Sequence, residues 1–146
     1  MVNSQYIDAY KKTEQSSNSV ISSHEIVRTL MKELVNSMQK IVLDIQDERK
    51  RKQDNFLPDK AFEEKNARHK SKNLTKSLSI IYGLQTSLDF EKALDIANNL
   101  FQLYEYCRHE IIKGFSQKIE DGIIKAIDVI KQIMEGWEEI PSLEKL

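Results

Sequence analysis

From Ser87 to Tyr106 the chain reads S-L-D-F-E-K-A-L-D-I-A-N-N-L-F-Q-L-Y-E-Y, and the apolar spacing in and just beyond this stretch sets the architecture. Ala93, Ala97, Leu100, Tyr104, Cys107 and Ile111 recur at alternating steps of four and three. That spacing is the seam of a helix packed in a bundle. Leu94 and Phe101 flank the seam on one side, Ile96 and Leu103 on the other. One antiparallel neighbour cannot cover so broad an apolar face. Further helices of the chain, or a partner, must lie on it.

The rest of the chain repeats the pattern. Ser22 and Glu25 form a capping box, in which a hydroxyl accepts from an early backbone N–H and a carboxylate reaches back. Val27, Met31, Leu34, Met38, Ile41 and Ile45 continue as a seam, widened by Leu30, Val35 and Val42, and fade into the basic run Arg49 to Lys52. Residues 53–59, Q-D-N-F-L-P-D, break this helix: Pro58 disfavours helix at Leu57, and Asp59 is placed to cap the segment after it. The stretch from Lys60 to Asn73 is polar and reads as a protruding helical turn or a linker, part of an extension over residues 50–72. A second seam uses Leu74, Leu78, Ile81 and Leu88, with Gln85 at an interior position. Asp89 is placed to cap the third helix, which ends near Gly114. A last helix from about Lys118 carries Ile119, Ile123, Ala126, Ile130, Ile133, Trp137 and Ile140, and Pro141 stops it. Four seams with mostly short connections describe an all-α, antiparallel four-helix bundle. A short apolar piece, Tyr6, Ile7, Ala9 and Tyr10, is too brief to be helical alone and is expected to pack across the bundle as a lid within residues 1–19.

Composition narrows function by exclusion. The 146 residues form one domain, 40% hydrophobic and 31% charged, with a net charge of −1. Nothing in that balance favours nucleic acid or an anionic membrane. The start of the chain has no apolar core of signal-peptide length, and no apolar run approaches the roughly 20 residues of a membrane span. A soluble cytoplasmic protein is the expectation. The single cysteine excludes an internal disulfide, and its place on the seam suits a small hydrophobe. A di-metal bundle site requires Glu-x-x-His pairs, whereas Glu105 and His109 are four apart, His24 sits beside a cap and His69 lies in the polar stretch. All three histidines therefore read as solvent-exposed. Cys107 and His109 are two apart and do not face each other on a helix. The four glycines are isolated and form no phosphate loop. No enzyme, cofactor or metal is expected. The broad apolar face remains, either absorbed by the core or offered to a partner.

The S-L-D turn at Ser87, the A-x-N-L-x-x-L-Y-x-Y run from Ala97 to Tyr106, the lone Trp137 and the cluster of Tyr6, Ala9 and Tyr10 with Val20 soon after resemble the flagellar export chaperone FliS family. The resemblance runs in order from about Tyr6 to Ile140. It implies a four-helix bundle that holds the disordered C-terminal segment of flagellin in the cytoplasm and delivers it to the export gate protein FlhA. A disordered amphipathic client suits helix-in-groove docking, and its ordering cost requires a large wrapped surface. By the same resemblance Tyr6, Ile7 and Tyr10 cover part of the client surface, Leu100, Leu103 and Tyr104 contribute to it, and the protein is a monomer or weak dimer. The sequence departs from the family at Ser23, where proline is common, and at Met31, Lys32 and Glu33, where an aromatic-Asx-Gly stretch is usual. The segment over residues 50–70 is also longer than usual. The alternative function is a helical adaptor or self-associating scaffold unrelated to flagella.

Overall fold

The computed structural model describes residues 23–54 and 59–138. Among them are four helices and no strand: α1 (Ser23–Gln53), α2 (Lys60–Thr86), α3 (Leu94–Gln117) and α4 (Asp121–Glu138). At 1.5 Å per residue these run about 46, 40, 36 and 27 Å, so the first hairpin is longer than the second. The expected N-terminal helix, with Tyr6, Ile7, Ala9 and Tyr10, lies outside the described residues, as do Ser22 of the capping box and Ile140.

Each helix packs beside the next, and α4 returns to α1, closing a square. Cross-helix contacts fix the directions. Along α1 and α2, Glu33 meets Lys76, Ser37 meets Ser77, Asp44 meets His69 and Glu48 meets Lys70. From the Glu33 and Ser37 contacts to those of Asp44 and Glu48, numbers rise along α1 and drop from the mid-70s to about 70 along α2, so the pair is antiparallel. His24 with Trp137, and Arg49 with Glu120, show that α1 and α4 are antiparallel as well.

The seams meet inside the square. Val27, Met31, Leu34, Met38, Ile41 and Ile45 of α1 are buried, together with Ile81 and Leu84 of α2, the α3 seam and Ile123, Ala126, Ile130 and Trp137 of α4. Two polar substitutions in the core are internally satisfied. Ser37 and Ser77 share a 2.7 Å hydrogen bond between α1 and α2. Gln85 donates to the Glu105 carboxylate at 2.9 Å across α2 and α3.

Several expectations need correction. Lys60 to Asn73 is neither a lone turn nor a linker but the first half of α2, which Asp59 caps by accepting from the Phe62 N–H at 2.7 Å. This half is polar because α1 and the ions along it, rather than a full core, support it. Asp89 caps the short turn ahead of α3, accepting from the Glu91 and Lys92 N–H groups, while α3 begins at Leu94 with Ala93 as its N-cap. α3 extends to Gln117 and ends through Lys118 in the left-handed region (φ 58°), with the Ile119 N–H donating to the Gly114 carbonyl. A Cβ on Gly114 would stand 2.7 Å from the Ile119 carbonyl and the Ile123 side chain, so glycine lets this turn close. α4 therefore starts at Asp121, and Ile119 falls in the turn, 48% exposed rather than in the seam. His24 is buried, not solvent-exposed: its ring stacks on Trp137 with centroids 5.1 Å apart.

Candidate interaction surface

The α3 seam is buried, and of the residues flanking it Ile96 and Phe101 pack partly against the core while Leu94 and Leu103 stay exposed. Leu100 and Tyr104 are 4% and 0% exposed, inside the bundle. Leu103 is at the surface, and Tyr106, three residues on and therefore on the same side, joins it. Tyr106 borders a cleft of about 290 Å³ between α3 and α4, with Ile119 and Lys125 on its other walls. Burial and the nearby Glu110 carboxylate hold the Tyr106 phenol above its ordinary pKa, so it remains a neutral, amphipathic contact. Leu100 and Tyr104 set the helix position beneath this edge. Tyr6, Ile7 and Tyr10 lie outside the described residues.

An apolar groove lies on the opposite side of α4 and does not stand out in the sequence. Val42 and Leu43 of α1 face Ile124 and Ile127 of α4 across about 390 Å³, with Gln39, Asp128 and Lys131 as the polar rim. Leu43 is 62% exposed and Ile124 40%. Their signal in the sequence is an apolar residue one step off a well-filled seam, Leu43 after Ile41 and Val42, and Ile124 after Ile123. Such residues add nothing to a core that is already closed. α4 thus runs as a ridge between an apolar groove on its α1 side and a cleft of mixed polar and apolar lining on its α3 side. Amphipathic segments dock on such surfaces by placing apolar anchors in the grooves and polar side chains at the rim.

The ends of α4 are held by polar contacts. The Trp137 indole N–H donates to the His24 carbonyl at 2.9 Å, and the His24 Nε2–H donates to the Trp137 carbonyl at 3.0 Å. At the other end Glu120 is bound by Arg49. A Cβ on Gly122 would meet only the Glu110 side chain, whose carboxylate lies over this glycine. The ridge is a built part of the bundle.

No catalytic arrangement accompanies these grooves among the described residues. Burial, and secondarily Glu110, push the Cys107 thiol up to about 12, leaving it protonated and unreactive. Among the described residues no group of three His, Cys, Asp or Glu side chains could hold a metal ion, and no helix is long and apolar enough to cross a membrane.

Comparison with known proteins places the chain. The family model for flagellar protein FliS matches residues 6–144. The flagellar secretion chaperone FliS of Vibrio cholerae is 29% identical over 136 residues, covering 92% of this chain and 88% of that protein. The flagellar secretion chaperone FliS of Salmonella typhimurium is 32% identical over 72 residues, covering 49% of this chain and 53% of that protein. No solved structure matches significantly. With nearly its whole length matched, from the N-terminal tyrosines to beyond Trp137, the chain belongs to the flagellar protein FliS family.

Proposed function

We propose that this protein is a cytoplasmic, non-enzymatic export chaperone that binds the disordered C-terminal segment of flagellin, one client per chain. It would prevent premature polymerisation and deliver the client, as a complex, to the export gate protein FlhA. The observation that carries this reading is the exposed apolar surface on either side of α4, Leu43 and Ile124 in one groove and Leu103 with Tyr106 on the other side, in a chain of the FliS family. The relatives in Vibrio and Salmonella are named as flagellar secretion chaperones, which supports the same role here.

Leu103, with Leu43 and Ile124, supplies exposed anchors for the client. Leu100 and Tyr104 act from beneath, holding α3 in register. Tyr6, Ile7 and Tyr10 form a lid that competes with the client and shifts when it binds. Disordered chains lose conformational entropy on docking, so two grooves along one ridge serve better than a single pocket. A pull-down with flagellin tests the reading: full-length flagellin is retained, and flagellin lacking its C-terminal segment is not. Equal retention of both forms would refute it. A helical adaptor that self-associates through the same grooves would instead show mass rising with concentration in the absence of any client.

A further inference from the structure

The end of the bundle beyond the α3–α4 turn has a chemistry unlike the grooves beside α4. Between residues 49 and 76, ten Lys and Arg face four Asp and Glu, a net of +6 in a chain whose total is −1. α2 begins at Lys60 and continues unbroken, so most of this charge is carried on a rigid helix. Lys118 reaches Glu48 at 3.0 Å, which puts the α3–α4 turn level with Glu48 on α1. The remainder of α1 and the start of α2 project beyond that level.

A cleft of about 560 Å³ opens at this junction. Phe62 and Ala67 of α2 and Phe115 of α3 form its apolar walls, and Arg51 lies 3.9 Å above the centre of the Phe62 ring. Four cations border it, Arg51, Lys52, Lys70 and Lys118, against two carboxylates, Glu48 and Glu63. Glu48 is shared by Lys70 at 2.7 Å and Lys118 at 3.0 Å, so one negative charge serves two positive ones. Lys52 has no carboxylate partner among the described residues. Ala67 and Ser71 line this cleft and also a shallow depression along the outside of α2, where Arg68 and Lys72 stand one turn apart.

We propose that this cleft and the basic face of α2 form a second interaction surface, separate from the client grooves, for an acidic protein segment with one aromatic anchor. The anchor fills the space between Phe62 and Phe115, and the acidic residues run over Arg68 and Lys72. Cleft and face are continuous, which suits an extended chain better than a compact ligand. A protein segment also fits better than nucleic acid, because Glu48 and Glu63 stand among the cations and would oppose a phosphate backbone. A peptide carboxylate contacts individual cations and leaves its aromatic side chain to the apolar walls.

The probe is a fluorescein-labelled peptide with one phenylalanine ahead of a run of glutamates, titrated into the full chain and read by anisotropy. Saturable, salt-sensitive binding is expected, and replacing the peptide phenylalanine by alanine should weaken it by about tenfold. Phe62→Ala and the exposed Lys72→Glu should each weaken it by about tenfold, while binding of the flagellin C-terminal segment stays as in wild type. Undiminished binding of the alanine peptide, or wild-type affinity in Lys72→Glu, would overturn the proposal. Tighter binding of an oligouridylate RNA that displaces the peptide would overturn it as well, in favour of a nucleic-acid surface.

Discussion

Replacing Trp137 by alanine should unfold the end of the bundle from within. The indole is 2% exposed, stacked on His24, and its N–H serves the His24 carbonyl. A buried tryptophan removes about 200 Å² from water, which at about 25 cal/mol per Å² is an upper figure of about 5 kcal/mol. Alanine retains a fraction of that and a cavity subtracts more, so the expected loss is about 3–5 kcal/mol. Domains of this kind carry about 5–15 kcal/mol in total, so the variant should lose roughly a fifth or more of its stability. Phenylalanine should recover most of the packing but leave the His24 carbonyl without its indole donor, a deficit of about 1 kcal/mol. Urea unfolding monitored by far-UV circular dichroism reads both variants, since the chain has one tryptophan and fluorescence would be lost. A Trp137→Ala variant that melts like wild type yet no longer binds flagellin would refute the structural role. The indole would then be a client contact rather than the link between α4 and α1.

The same packing makes three further outcomes testable. Cys107 should react with a thiol reagent about a thousandfold more slowly than a free cysteine at neutral pH, becoming reactive only as urea opens the bundle; rapid labelling of the native protein would disprove its burial. Gly114→Ala should destabilise by about 1–3 kcal/mol because the new methyl meets the Ile119 carbonyl and Ile123, and an unchanged melting temperature would show that the turn can open. Burial pushes the Glu48 carboxyl up, but hydrogen bonds from Lys70 and Lys118 more than offset it and leave its pKa lowered. Its contribution is therefore fully present above the ordinary value of 4.5 and disappears as pH falls through the lower folded value. The melting difference between wild type and Glu48→Gln should close on acidification, and a difference that widens would mean that the folded pKa is raised instead.

The helices were legible because four-three spacing survives wherever a helix has a core on one side, as from Val27 to Ile45 and from Ala93 to Ile111. Asp59 was legible as a cap because Pro58 isolates it from the preceding helix. The first half of α2 was not, since its order comes from α1 alone, through His69 on Asp44, Lys70 on Glu48 and Phe62 under Arg51. Those contacts leave no apolar period. His24 reads as exposed for a related reason. Its burial depends on Trp137, 113 residues away, and nothing local announces a stacked pair. Within α3 the sequence does not separate the exposed Leu103 from the buried Leu100 and Tyr104. Flank and seam differ by a small rotation, and only the neighbouring helices decide which residues are covered. Leu43 and Ile124 are hard to see because each stands beside a seam residue and looks like part of it.

If the exposed apolar residues on either side of α4, rather than the buried seam, hold the flagellin C-terminus, charging them must weaken binding without loosening the fold. Calorimetric titration of the C-terminal segment into wild type and into a Leu43→Lys, Leu103→Lys double variant measures this. Both positions are exposed, so melting temperature should hold within about a degree or two while affinity falls by about a hundredfold. The large negative heat-capacity change expected of wild type should shrink in step as less apolar surface is covered. Wild-type affinity and heat-capacity change in the double variant would refute these flanking surfaces as the docking site and move the client elsewhere on the bundle.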